Sequence, residues 1–267
     1  MTRITIGQYY PADSVVHRLD ARVKLTAMLF YITSLFFISH FSGYLAAALF
    51  IAAVIFLSRV PVRMILRGLR VILFILVFAV LMNVFLTPGE RVVFSFHIIR
   101  ITQEGLIIAG KMALRLTLLI MGSSLLTLTT SPIQLTDALE YLLNPLKRIK
   151  VPAHEIAMMM TIALRFIPTL AEEMEKIIKA QKARGADFDT GGLIKKSRSL
   201  IPVLVPLFVS SFRRAYELAD AMDARCYRGD VNRTKMKVMR ISRLDYYAAV
   251  YIAAYGASLV VTQWLLF

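Results

Sequence analysis

The chain has 267 residues, 58% of them hydrophobic and 18% charged, and a formal net charge of +15. A soluble domain of this length carries roughly 45–50% apolar and about 25% charged residues, so the composition argues against one. The lysines and arginines lie between apolar runs rather than on one basic face, which argues against a nucleic-acid partner.

The head, MTRITIGQYYPADS, is polar and mixed, and it lacks the basic start and apolar centre of a signal peptide. A membrane helix needs about 20 apolar residues, with a range of roughly 17–25. Leu25 to about Phe41 is the first such run, and Gly43–Val60 follows after a short turn. Leu69–Leu86 is the third, closed by Thr87-Pro88-Gly89, and Leu106 to about Leu128 is the fourth. Tyr246–Phe267 is the fifth.

Orientation follows the basic residues of the short connections. The head carries Arg3, Arg18, Arg22 and Lys24, and the second connection carries Arg59, Arg63, Arg67 and Arg70. The turn at Ser39–Ser42 has none, and the connection Thr87–Gly105 has only Arg91 and Arg100, offset by Glu90 and Glu104. This alternation puts the N-terminus in the cytoplasm and, after five spans, the C-terminus outside.

Ser131–Arg243 separates spans four and five, with 20 lysines and arginines against 12 acids, and is therefore expected in the cytoplasm. It opens on Ser131-Pro132-Ile133-Gln134, a capping box with proline in the first turn, which predicts a short helix to about Leu143. From Ala153 to Gly185 apolar residues recur every three or four positions, predicting a long helix that Pro168 should kink. Its first half is apolar and its second half charged. Leu200–Tyr227 repeats the plan, with Pro202 and Pro206 in the apolar half, and Asp187–Ser199 reads as a turn plus a basic connector. The expected fold is an all-α polytopic membrane protein with about five transmembrane helices and long cytoplasmic coupling helices. It divides as 1–130 (four spans), 131–243 (coupling helices) and 244–267 (the last span).

Three motifs suggest chemistry and fall short. Gly105-Leu-Ile-Ile-Ala-Gly110-Lys111 approaches a phosphate-binding loop, but Met112 stands where serine or threonine is needed, in a helical run with no preceding strand. Asp220-Ala-Met-Asp-Ala224-Arg225 matches only part of the signature of lipid-linked alcohol phosphotransferases and lacks the downstream glycine and aspartates. The histidines, at 17, 40, 97 and 154, have no metal-ligand spacing. No catalytic set, metal or cofactor is expected. Lys111 and Arg115, one turn apart, fit snorkelling to a membrane surface. They are also the one candidate pair for an ion path, should the chain be a secondary transporter without ATPase partners.

Both long helices end on arginine between small residues: Ala183-Arg184-Gly185 and Ala224-Arg225-Cys226. Gly185 suits the left-handed position after a helix. Cys226 suits it poorly, and Arg228-Gly229 offers a better stop just beyond. Arginine near a helix C-terminus favours the macrodipole, but that does not explain the doubling or the small neighbours. Small neighbours let the guanidinium, a rigid donor fork that fits a carboxylate, enter a narrow groove.

These tips, the head Gly7-Gln-Tyr-Tyr-Pro-Ala-Asp-Ser14 with His17-Arg-Leu-Asp-Ala-Arg-Val-Lys24, and Leu164-Arg-Phe-Ile-Pro168 resemble the transmembrane coupling component, EcfT, of energy-coupling factor transporters, the vitamin-importing ABC class. Length and head resemble the type shared by several substrate-binding subunits. The resemblance implies a non-catalytic, multi-pass cell-membrane subunit. Its partners would be two ABC ATPase subunits, which receive the tips at 183–185 and 224–226, and a membrane-embedded substrate-binding S component. Cys226 departs from the commoner glycine but is still small. Met158, Met159, Met160 and Met174 give the first coupling helix an adaptable apolar surface suited to changing partners.

Overall fold

The computed structural model describes residues 9–88, 91–96, 99–188, 192–229 and 239–264. Gly7 and Gln8 of the head, residues 189–191 of the connector and the last three residues of the fifth span lie outside them. Among the described residues nine α-helices carry the fold: α1 Val15–Arg18, α2 Ala21–Phe37, α3 Phe41–Ser58, α4 Val62–Leu86, α5 Gln103–Thr129, α6 Pro132–Leu143, α7 Ala153–Ala183, α8 Leu193–Ala224 and α9 Arg243–Trp264. A 3-10 turn at Asn144–Ile149 follows α6. The α4–α5 connection holds a small antiparallel hairpin of β1 Val92–Phe96 and β2 Ile99–Thr102, so the expectation that no strand precedes the Gly105–Lys111 run is corrected: β2 ends directly before α5.

The chain divides into two compact units, one of Gly7–Ala138 with Val238–Phe267, the other of Met1–Ile6 with Leu139–Lys237. In the first, α3, α5 and α9 are long and apolar enough to cross a membrane. The stretches Val62–Arg70 and Ile72–Leu86 of α4, bent by 59°, count as a fourth span together. With 17 residues, α2 stands at the lower limit of a span. The outward faces of these helices are greasy: Phe56 is 85% exposed, Phe74 80% and Trp264 83%. Water would penalise such a surface; lipid does not. The inner faces meet in a core of Tyr31, Leu35, Tyr44, Ala47, Leu118 and Leu125. There Phe50 stacks on Tyr31, Tyr251 and Tyr255, and the Tyr255 hydroxyl lies 2.9 Å from Ser34 Oγ. A Cβ at Gly122 would come within 2.8 Å of the Tyr31 ring, so only glycine admits α2 this close to α5.

A polar latch closes one end of this unit. Ser14 caps α1 by accepting from the His17 backbone N–H, and the His17 ring bridges Ser14 Oγ and the Tyr10 carbonyl. Asp20 caps α2. Its own N–H donates to Asp245 Oδ1 at 2.8 Å, while Oδ2 of the same carboxylate accepts from Ser242 at the start of α9. Buried Lys24 donates to the carbonyls of His17 and Thr129, and Tyr10 N–H donates to that of Leu128. The last carbonyls of α5, which have no partner within the helix, are thus satisfied by the head.

Candidate functional site

The second unit is built on α7 and α8. The capping box expected before α6 is formed: Gln134 N–H donates to Ser131 Oγ, and Ser131 N–H to Gln134 Oε1. Then α7 starts on buried Ala153, His154 and Ala157, with the His154 ring 2.9 Å from Glu140 of α6. It continues unbroken through Pro168 to Ala183. Its partner α8 begins at Leu193, earlier than the sequence suggested, so Lys195, Lys196 and Arg198 belong to the helix rather than to a connector. Pro202 and Pro206 lie inside it. Each removes one backbone donor without ending the helix.

The contacts between the two helices run in opposite sequence directions. Glu173 of α7 accepts from Ser210 Oγ and, at 2.9 Å, from Arg214 of α8. Tyr227, just past α8, reaches Met158 near the start of α7. Ile162, Phe166 and Leu170 face Ala215, Leu218 and Met222 across a shallow groove. The pair is therefore antiparallel, and the two C-termini point to opposite ends. At 1.5 Å per residue on either side of the Glu173 crossing, Arg184 and Arg225 stand roughly 35 Å apart along the pair.

Each C-terminus closes in the same way. Arg184 is the last half-helical residue of α7, with φ −85° and ψ 7°. Gly185 follows at φ +85°; its N–H donates to Lys182 O at 3.0 Å, and Ala186 N–H donates to Gln181 O at 2.9 Å. Arg225 has φ −92° and ψ 11°. Cys226 follows at φ +53°; its N–H donates to Asp223 O at 2.9 Å, and Tyr227 N–H to Met222 O at 3.1 Å. Both tips are complete Schellman motifs in the same register. The expectation that Cys226 avoids the left-handed position, leaving Gly229 as the stop, is corrected: Cys226 takes it, and Gly229 at φ +72° forms a further turn. A non-glycine residue there costs of order 1–3 kcal/mol. The structure meets that cost and so repeats the geometry of the first tip.

Ala183, Arg184, Gly185, Ala224, Arg225 and Cys226 are all exposed. A Cβ at Gly185 would meet nothing within 4 Å, so its glycine answers to conformation and not to crowding. Each arginine thus stands at the end of a rigid helix, flanked by side chains too small to cover it. The Glu173 cluster, part-way along the pair, was not singled out from the sequence. Its signal, a serine and an arginine four residues apart on α8, is too common to point anywhere. Hydrogen bonding from Ser210 first, and then the Arg214 guanidinium, hold the Glu173 carboxyl below its ordinary range.

The other motifs settle into helix. Gly105 lies at the start of α5, capped by Thr102 Oγ1, so its run to Lys111 is helical and no phosphate loop forms. Lys111 lies over the Phe41 ring at 5.9 Å and Arg115 over Phe36 at 5.6 Å. Among the described residues no three His, Cys, Asp or Glu converge as metal ligands.

A family described as cobalt transport protein (CbiQ) matches residues 12–236. The chain is 53% identical over 263 residues to a protein of Ruminiclostridium cellulolyticum, an alignment that covers 98% of this chain and 96% of the relative. It is 53% identical over 248 residues to one of Clostridium kluyveri, covering 92% of each. To one of Lactococcus lactis subsp. cremoris it is 45% identical over 245 residues, again covering 92% of each. All three relatives are named energy-coupling factor transporter transmembrane protein EcfT.

Proposed function

The chain belongs to the EcfT family of energy-coupling factor transporter transmembrane proteins, and from that premise we propose that it is the non-catalytic membrane scaffold of an ATP-driven importer. It passes five times through the cell membrane with its N-terminus in the cytoplasm, as the arginine distribution of its connections favours. Arg184 and Arg225 each seat in a groove of a separate ABC ATPase subunit. The outward faces of α7 and α8 hold a membrane-embedded S component, which binds the vitamin or other micronutrient.

The observation that carries this reading is the doubled tip: one backbone motif, built twice and exposed both times, at opposite ends of an antiparallel pair. Ends roughly 35 Å apart cannot share one socket. Two ATPase subunits that approach each other on binding ATP would carry the two tips with them. Because Glu173 joins the helices part-way along, moving both ends changes the crossing of the pair. The apolar residues on α8 would feel that change: Leu204 is 56% exposed, Phe208 65% and Phe212 50%. Methionines 159 and 160 on α7, also exposed, can adapt to whichever partner lies against them.

A secondary transporter would need an ion path. Lys111 and Arg115, the candidates for it, lie against phenylalanine rings, which favours anchoring. The test separates a fitted fork from simple charge. Lysine keeps the charge of arginine but not its planar pair of donors. In the assembled transporter Arg184→Lys should lower ATP-driven uptake nearly as far as Arg184→Ala. Normal uptake with lysine at both 184 and 225 would reduce the tips to charge attraction and defeat the socket reading.

A further inference from the structure

The first unit contains a cavity of about 300 Å³ that the coupling role does not use. Its floor is Met28, Tyr31, Ile51 and Leu125, all buried. Its exposed lining residues border α1, α3 and α9, where Val15 is 47% exposed, Leu57 46% and Tyr247 71%. The walls are almost wholly apolar. Water gains nothing in a cavity of that kind, and even engineered apolar cavities of about 150 Å³ stay dry and take up hydrocarbon. In a chain that spans a membrane, the hydrocarbon at the mouth is a lipid chain.

The charge at the mouth says which lipid. Each helix end beside it carries a cation: Arg59 follows Leu57 of α3 by two residues, and Arg243 precedes the lining residue Leu244 of α9. Both arginines are exposed. Lys24 lines the cavity at this end, but its ammonium is already donated to the carbonyls of His17 and Thr129, so it adds field rather than a contact. Arg18, nearby in sequence, is committed to Asp13 in a two-pronged bond at 2.9 Å. Arg59, whose field also reaches the Asp13 carboxylate, and Arg243 are placed to meet a ligand, and Tyr247 at the mouth is a residue type that favours the headgroup level of a bilayer, as tryptophan does.

We propose that this cavity is a binding site for one acyl chain of an anionic phospholipid from the leaflet on the Lys24 side, with the headgroup phosphate held by Arg59 and Arg243. The site rests on the chain's being in a membrane and not on its ATPase partners.

The test uses the full chain in vesicles, with Trp264 replaced by phenylalanine and Tyr247→Trp as a reporter at the mouth. The probes are phosphatidylglycerol and phosphatidylcholine with brominated acyl chains, which quench tryptophan on contact. Brominated phosphatidylglycerol should quench the reporter at lower mole fraction than brominated phosphatidylcholine. The preference should be about fivefold for each arginine that meets the net negative charge of phosphatidylglycerol, a charge that choline cancels in phosphatidylcholine. Ala248→Phe and Ala27→Leu fill the cavity from two different helices, and each should abolish the excess quenching. Arg59→Asn, chosen because asparagine tolerates the φ of +55° there, should bring the two lipids level when combined with Arg243→Gln. Equal quenching by both lipids in the unfilled protein would overturn the proposal. So would an excess that survives both filled variants, or one that survives loss of both arginines. The arginine substitutions are on the surface, so they decide the outcome even if the filled variants fold poorly.

Discussion

Gly185 and Cys226 occupy the same backbone state with different side chains, and that difference is measurable. At Gly185 a methyl group would have open space but the wrong φ. Gly185→Ala should therefore cost about 1–2 kcal/mol locally. The amide of Ala186, bonded to Gln181 O, should exchange with solvent roughly ten times faster, a factor that corresponds to about 1.4 kcal/mol. Cys226→Gly should do the reverse at the second tip and slow exchange of the Tyr227 amide. If neither amide responds, the left-handed residues do not hold the tips. The positions of both arginines and their small neighbours were legible in the sequence, because a helix end announces itself by a change of pattern. That Cys226 would accept a positive φ was not. Propensity counts the cost at one residue, whereas the outcome depends on the two hydrogen bonds that closing the motif gains.

At the scale of elements, α7 and α8 are two long helices with few buried side chains, so the polar join at Glu173 matters to how they cross. Its carboxyl is held below the ordinary carboxylate range, chiefly by Ser210 and then by Arg214. A depressed carboxylate contributes its stabilisation above the ordinary carboxylate pKa and loses it as pH falls through the lowered value. Lowering the pH from neutral should therefore leave the pair intact until acid conditions below the usual carboxylate range, and then loosen it. Exposed pairs of this kind are worth about 1 kcal/mol or less. Glu173→Gln should thus be mild at neutral pH and should remove the acid-linked step; distances between spin labels on α7 and α8, followed across pH, measure both. An unchanged acid step in the glutamine variant would assign it to another group. The existence and polarity switch of these helices and the extent of α7 were readable from spacing alone, whereas the start of α8 at Leu193 was hidden by its basic first turns. Their antiparallel crossing was not, since periodicity says which face is apolar but not which partner meets it. The hairpin between α4 and α5 was missed for a related reason: Val92–Phe96 and Ile99–Thr102 are short, and their β-branched residues lie inside a connection read mainly for its charge.

At the scale of the whole molecule, topology and coupling can each be put to the test. Five spans with the N-terminus inside put the C-terminus outside. In a Cys226→Ser background, a cysteine added after Phe267 should react with an impermeant thiol reagent on intact cells; labelling only after lysis would reverse the orientation. The coupling claim is that two arginine tips hold two ATPase subunits and that both must move. If each arginine merely completed its helix end, its loss would cost about 0.3–1 kcal/mol, and two losses at distant sites would add. Truncating one partner of a buried charge pair typically costs ~2–5 kcal/mol. A second site on the same helix pair raises the effective concentration at the first, so one intact tip retains the complex. The most direct measurement is recovery of ATPase subunits with the purified membrane chain, beside uptake and ATP hydrolysis, for Arg184→Ala, Arg225→Ala and the double variant. We predict that each single variant keeps its ATPases in mild detergent yet transports poorly, and that the double variant releases them while the membrane chain stays folded. A double variant that retains its ATPases and transports normally would contradict the account and leave both arginines as ordinary helix ends.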